Sequence, residues 1–365
     1  MLKVGVVGLN CGAGFVELFR RLPECKVTVV CDTNEELLRE RAAGWGIAAA
    51  VTDYDRLLDQ EPDLVVIESP VQCHVPQAVA ALERGIHVLS DVTAGTTIED
   101  CARLARAVLA SPAKYMLGEN CCYWHFAQWW REMVREGRLG QLTYMEAEYV
   151  HDVSGLMRNP DGTPTWRASR PPLHYCTHSL GPLLNLAGDR CVTAVGLNTG
   201  AQIDPELGAI DMGVGLFHTE QGAVVKILRG ALVRREPAFH YYSVYGTRGC
   251  LETTRPGEHP MGTTWACFGD HPQPAECELL PLGLDFPGLP DWAGEGGHGT
   301  AEYVMVRAFL DSILQDTPPP LDLERGLAFT LPGLVAHLSA QRGGVRLPVP
   351  SLQELVDDTY SAELR

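Results

Sequence analysis

The chain has 365 residues, of which 45% are hydrophobic and 21% charged, with a formal net charge of -17. That length suits two domains rather than one core. The acidic balance excludes a surface built for nucleic acid or anionic lipid, which needs clustered Lys and Arg.

No apolar run is long enough to span a bilayer. Met1-Leu2-Lys3 leads straight into a strand pattern, without a charged-then-apolar leader, so a cytoplasmic protein is expected. The twelve cysteines lack the spacing of a zinc site or a disulfide framework. Cys25, Cys31, Cys101 and Cys250 read as small core residues in a reducing compartment. The vicinal pair Cys121-Cys122 has no partners at ligand spacing, and no metal is expected. Lysine is scarce: Lys3, Lys26, Lys114 and Lys226 are the whole set.

Lys3-Val4-Gly5-Val6-Val7-Gly8 predicts a buried strand, followed by the glycine-bearing turn Leu9-Asn10-Cys11-Gly12-Ala13-Gly14 and a helix to Leu22. A second strand ends at Asp32. Strand, glycine turn, helix, strand and acid is the order of a dinucleotide-binding βαβ unit. Gly8, Asn10, Cys11 and Gly12 would bring backbone N–H groups to a pyrophosphate at a helix N-terminus. Asp32 would accept hydrogen bonds from a ribose diol and repel a 2′-phosphate, which favours NAD over NADP. The glycine fingerprint is degenerate: the second and third expected glycines fall on Asn10 and Ala13. Gly12 and Gly14 are expected to act in a shifted turn.

The alternation continues with helix 35–45, strand 49–51, helix 54–58, strand 64–68, helix 75–84, strand 87–89, helix 98–109 and strand 115–117. Repeated β-α alternation predicts a parallel sheet covered on both faces. Two loops at carboxyl ends of these strands are candidate ligand contacts: Ser69, Pro70 and His74 after the fourth, and Asp91 after the fifth. His74 is equally a neighbour of the next helix start, and Asp91 equally a turn cap.

Beyond Gly118 the period changes. A helix is predicted over 124–136, then a long strand over 142–151. The stretch 152–170 reads as loop and holds Trp166-Arg167, suited to a sugar face and its hydroxyls or to an interface. In Pro171–Pro182, His174 and His178 stand one helical turn apart. Imidazoles titrate near neutrality and suit proton transfer from a hydroxyl. The plainer alternative is a helix start with one histidine capping and the other half-buried. Strands follow at 192–197, 212–218, 223–228, 240–245 and 250–253, as in an antiparallel sheet with one covered face. Residues 256–299 read as a long irregular functional or interface loop, which ends in Gly297-His298-Gly299. Helices over 301–314 and 323–339 close the chain. The expected architecture is an α/β Rossmann domain over 1–120. An α+β domain follows over 121–365, with a large, mostly antiparallel open sheet and closing helices that pack back near the first domain.

Val4–Gly8, the Pro70–His74 loop, Gly85-Ile86-His87-Val88-Leu89, Trp166-Arg167 and Gly246-Thr247-Arg248-Gly249 together resemble the Gfo/Idh/MocA oxidoreductases. That family joins a Rossmann domain to an open sheet and uses NAD or NADP on sugars and cyclitols. The resemblance puts His178 at the catalytic histidine. It also implies a lysine after the fifth strand, where this chain has Asp91-Val92-Thr93. Gly118–Tyr123, Glu148–Asp152, Thr177–Pro182 and Gly297–Gly299 are similar to a narrower branch, the NAD-dependent α-N-acetylgalactosaminidases. That likeness implies Tyr123 as a base tyrosine, Asn120 near the cofactor, and Tyr149 and His298 near substrate.

The reading is an NAD-dependent oxidoreductase acting on a sugar, cyclitol or derivative. His178 carries the hydroxyl proton, helped by Tyr123 or His174, and Asp91 orients a hydroxyl or the cofactor amide. The alternatives are a glycoside hydrolase using transient C3 oxidation and a non-catalytic sugar or NAD sensor. A homodimer or homotetramer would cover the open sheet.

Overall fold

A computed structural model describes residues 1–255, 257 and 259–364. Its contacts divide the chain into two compact units. The first holds Met1–Asn120, Pro287–Leu327 and Leu355–Asp358; the second holds Cys121–Phe286, Ala328–Glu354 and Thr359–Arg365, its last residue lying outside those described.

The first unit opens with β1 (Leu2–Val7), α1 (Leu9–Arg20), β2 (Cys25–Cys31), α2 (Glu35–Trp45), β3 (Ala49–Val51) and α3 (Tyr54–Leu58). It continues with β4 (Leu64–Ile67), α4 (His74–Glu83), β5 (His87–Ser90), α5 (Ile98–Ala110) and β6 (Tyr115–Leu117). The six strands lie in the order β3-β2-β1-β4-β5-β6, and every pair is parallel. This is the doubly wound order whose ligand site lies where the winding reverses, between β1 and β4. Leu64-Val65-Val66-Ile67 is buried throughout, as a strand covered on both faces must be. Local chemistry sets the helix ends. Asn34 caps α2 by accepting from the N–H groups of Glu36 and Leu37, and Gly46 ends it at φ 68°.

The second unit carries α6 (His125–Arg135), β7 (Leu142–Val150), α7 (Thr177–Ala187), β8 (Cys191–Asn198), β9 (Met212–Thr219) and β10 (Val224–Gly230). Then come β11 (Phe239–Gly246), β12 (Gly249–Thr253), β13 (Thr264–Phe268) and β14 (Glu276–Leu280). The chain ends through α8 (Ala301–Leu314), α9 (Leu323–Gln341), β15 (Leu347–Pro348) and α10 (Leu352–Val356). By the division above, α8 falls in the first unit and α9 crosses at Leu327. The second sheet runs β14-β13-β12-β11-β7-β10-β9-β8-β15, antiparallel except for the central β7–β10 pair. On its covered face Met145, Ala147, Val225, Ile227, Tyr242 and Val244 are buried, and α7 packs against β7 and β11. The opposite face exposes Leu197, Leu216, Val224 and Trp265.

Three expectations are corrected. Residues 256–299 are not an irregular loop throughout: β13 and β14 pair within them. Pro256 and Glu258 of that segment lie outside the described residues. Five-residue strands give little periodicity, and β14 is an edge strand whose acids stay in solvent. The cysteines, read as lacking disulfide spacing, include one bonded pair, Cys267 and Cys277, across β13 and β14. Finally, His174 and His178 do not share a helix face. A 3-10 turn over Pro172–Tyr175 carries His174, and α7 begins only at Thr177.

Candidate active site

In the first unit, β1 passes into α1 through Gly8 at φ 89°. A Cβ there would lie 2.5 Å from the Glu68 carbonyl, so only glycine fits. Gly12 sits where a Cβ would meet Val6 at 2.9 Å, which is the close helix-to-strand approach the fingerprint requires. Gly12 and Gly14 both lie inside α1, so the expected shifted turn does not form, and Gly14 has open space around it. Asn10 and Cys11 are exposed on the first turn of α1. First-turn N–H groups have no intrahelical acceptor; that of Leu9 donates to Asp32 Oδ2 at 2.7 Å. Asp32 Oδ1 accepts from Asn34 at 2.8 Å, which leaves each carboxylate oxygen further lone-pair capacity for a ribose hydroxyl. The positive-φ glycine, the exposed helix start and the acid at the end of β2 fit a dinucleotide.

The strand-end loops of this unit hold several titratable groups. Glu68 is half-buried; burial, then the Asp91 carboxylate, raises its carboxyl well above the ordinary range. His74 is buried, with Nε2 2.7 Å from the Ser69 carbonyl and Nδ1 3.4 Å from that of Thr93. Burial lowers its pKa. A neutral ring donating through Nε2 ties His74 to the Ser69 loop, and its unprotonated Nδ1 has no proton to give the Thr93 carbonyl. Val92, in the position of the family lysine, is buried. His298 also belongs to the first unit. Its Nδ1 lies 2.9 Å from the Asn120 amide and 3.1 Å from Glu302 Oε1. Burial opposes charging of His298, but the bond to Glu302 and its negative charge outweigh burial and raise the pKa.

In the second unit the covered face of the sheet carries an aromatic and imidazole cluster. Strand register builds it. Tyr149 on β7 stands directly opposite Arg229 on β10 and His240 on β11. The Tyr149 and His240 rings stack at 3.9 Å and 18°. Tyr242, two residues along β11, lies 3.2 Å from His240 Nδ1 and donates to the His178 carbonyl, which links that strand to α7. His178 is 3% exposed in the first turn of α7. Its Nε2 is 3.1 Å from Tyr175 Oη, and its ring meets Tyr149 edge-on at 5.8 Å. Tyr149 Oη is 2.8 Å from His151 Nδ1. Burial and then the Arg229 charge lower the pKa of His151.

Other expected residues stand elsewhere in this unit. Tyr123 has a buried hydroxyl with no hydrogen-bond partner among the described residues, and burial raises its pKa. His174 packs edge-on against His337 at 4.8 Å; burial, then the His337 and Arg170 charges, push it down to about 3. Arg167 lies 4.4 Å over the ring of its neighbour Trp166. The cluster thus unites His178 with Tyr149 and adds Tyr175, His240, Tyr242 and Arg229. Those four left traces in the sequence: Tyr175 stands three residues before His178. His240 and Tyr242 alternate onto one strand face, as Val225, Ile227 and Arg229 do.

The chain is similar to several known proteins. A Glycosyl hydrolase family 109 protein of Solibacter usitatus is 27% identical over 387 residues, covering 96% of this chain and 87% of its own. An Alpha-N-acetylgalactosaminidase of Tannerella forsythia is 25% identical over 355 residues, covering 82% and 72%. The crystal structure of scyllo-inositol dehydrogenase from Lactobacillus casei, with NAD(H) and scyllo-inositol, matches 96% of this chain and 99% of its own at TM-score 0.76 and 17% identity, a likeness of fold. Residues 2–119 match the Gfo/Idh/MocA model described as "Oxidoreductase family, NAD-binding Rossmann fold". Over that stretch the chain is similar to the Gfo/Idh/MocA oxidoreductases, with the NAD-binding fold its glycine turn and strand order had pointed to.

Proposed function

We propose that this protein is an NAD-dependent enzyme that moves a hydride between a ring carbon of a sugar, cyclitol or sugar derivative and the nicotinamide. The observation that carries the reading is the Tyr175–His178 pair, buried beside Tyr149 on the covered face of the second sheet. NAD when bound supplies the hydride acceptor. Gly8, Asn10, Cys11 and Gly12 would hold the pyrophosphate and Asp32 the ribose, with Ser69, Pro70, Asp91 and Asn120 along the strand-end loops. His178 Nε2 would take the hydroxyl proton as the carbon is oxidised, directly or through Tyr175 Oη. The rings of Tyr149 and His240 enclose this proton path and restrict water. Arg167 and Trp166 are suited to a sugar's hydroxyls and face.

The 27% identity to a glycosyl hydrolase over almost the whole chain favours a second reading on the same site. There the oxidation is transient: a base removes the proton next to the new ketone, the aglycone leaves, water adds and the hydride returns. Tyr149 serves better than Tyr123 as that base, because Tyr149 touches the cluster and has His151 to receive its proton. The exposed apolar residues on the open sheet face support a homodimer or homotetramer.

The test is direct. Nucleotide released from the purified protein is identified. Sugars, cyclitols and aryl glycosides are then screened while NADH absorbance and aglycone release are followed together. NADH accumulation supports the first reading, and aglycone release without NADH supports the second. His178→Gln should lower either activity by about 100-fold or more, as loss of a general acid–base does. A protein that neither binds NAD nor turns over any substrate overturns both.

A further inference from the structure

Arg229 is 2% exposed, yet among the described residues it forms no ion pair with a carboxylate. It lies in the row of Val225 and Ile227, facing the covered side of the sheet, where apolar residues are the rule. Its Nη1 donates to the main-chain carbonyls of Tyr149 and Gly230, and its Nε finds no acceptor. The guanidinium carbon lies 4.1 Å over the Tyr149 ring and 5.8 Å from that of Tyr175. A buried charge of this kind is costly unless paired. Arginine does not shed its proton to escape that cost. Its charge acts on Tyr149, Tyr175 and Cys176, and on His151, which it disfavours as a cation. Burial pushes the Cys176 thiol up to about 12, so the phenols are the groups able to answer the charge.

We propose that Arg229 is a positioning residue that holds Tyr149 as a phenolate, ready to act as the base of the second reading while His178 takes the hydroxyl proton. Among the two tyrosines, Tyr149 is the one in direct register with Arg229 and lies closer to it. It also has an exit for its proton: the Oη–H bond breaks, the proton passes to His151 Nδ1 2.8 Å away, and the electron pair stays on Oη. His151 is half-exposed and hands that proton to solvent. The groups facing Tyr149 are His151 on its own strand, His240 from β11, His178 from α7, Tyr175 from the preceding turn and Arg229 from β10. Arg170 lies 4.1 Å over Tyr175, which adds positive charge to the same corner. Glu148, the adjacent residue on β7, is paired with Arg255 and Lys226.

This inference rests on the proton-handling role proposed above, but its test needs no turnover. Phenolate absorbance is followed during an alkaline titration of the full-length wild type and of Tyr149→Phe. The difference between them reports Tyr149 alone, out of eleven tyrosines. The expected result is a phenolate that forms ahead of the tyrosines that remain in the variant. In Arg229→Met the same difference, taken against the double variant, should move to higher pH, and Arg229→Lys should restore much of it. In Arg229→Lys the acid limb of the rate–pH profile should follow the phenolate midpoint. Tyr149 titrating with the other tyrosines overturns the proposal, and that comparison stands even if Arg229→Met does not fold. An early phenolate in a protein without NAD-linked turnover would retire the enzyme reading and leave this one intact.

Discussion

His174 and His178 show how four residues can separate two fates. His178 starts α7 and reaches Tyr175. His174 closes a 3-10 turn, facing His337. The cost of that burial has a sign. His174 is held down to about 3, below its ordinary 6.5. The unfolded chain therefore takes up a proton in that interval and the folded one does not, so stability falls as pH drops from 6.5 toward 3. His174→Phe should lose less melting temperature than wild type between about pH 7.5 and about pH 4.5, roughly one unit above and two below the free imidazole midpoint. Parallel slopes in a calorimeter would remove His174 as the source. Gly8 makes the matching case on the cofactor side. Gly8→Ala puts a methyl group into the Glu68 backbone at positive φ and should cost about 1–3 kcal/mol of stability. It should also weaken NAD binding, which isothermal titration would read directly.

At the scale of elements, β13 and β14 are the pair the chain least advertises. Their ten-residue separation between Cys267 and Cys277 closes a short loop. Chain-entropy reasoning gives such a crosslink about 3 kcal/mol. Cys267→Ser should therefore lower stability by up to about that amount if the hairpin unfolds with the sheet. Reductant should have the same effect on wild type and none on the variant in chemical denaturation. The central strands β10, β7 and β11 behave differently. Their long alternating runs were legible, and so was their covered face. What they carry on it, a row of Arg229, Tyr149 and His240, depends on register, and register across non-sequential strands is not written in any local pattern.

For the molecule as a whole, ligand linkage offers the broadest check. A ligand that binds only the folded form raises the melting temperature with concentration. NAD should do so more than NADP, because Asp32 would meet the 2′-phosphate with its own charge; equal shifts would leave Asp32 without that role. The nucleotide-binding fold was readable from residues 1–120 because each βαβ step is local: buried strand, glycine turn, amphipathic helix, next strand. His178 was readable because a histidine in a resembling motif carries its chemistry with it. Tyr123 was singled out by the same kind of reasoning, and tertiary structure set its hydroxyl in a buried position with no partner. Tyr175, His240, Tyr242 and Arg229 needed the fold. They come from a turn and two strands separated by tens of residues, and only hydrogen-bonded register and the packing of α7 bring their side chains to His178 and Tyr149. The chain order thus determined the cofactor class and singled out one candidate proton carrier. Long-range pairing decided which groups surround it, because side-chain proximity in a sheet follows from partners far away in sequence.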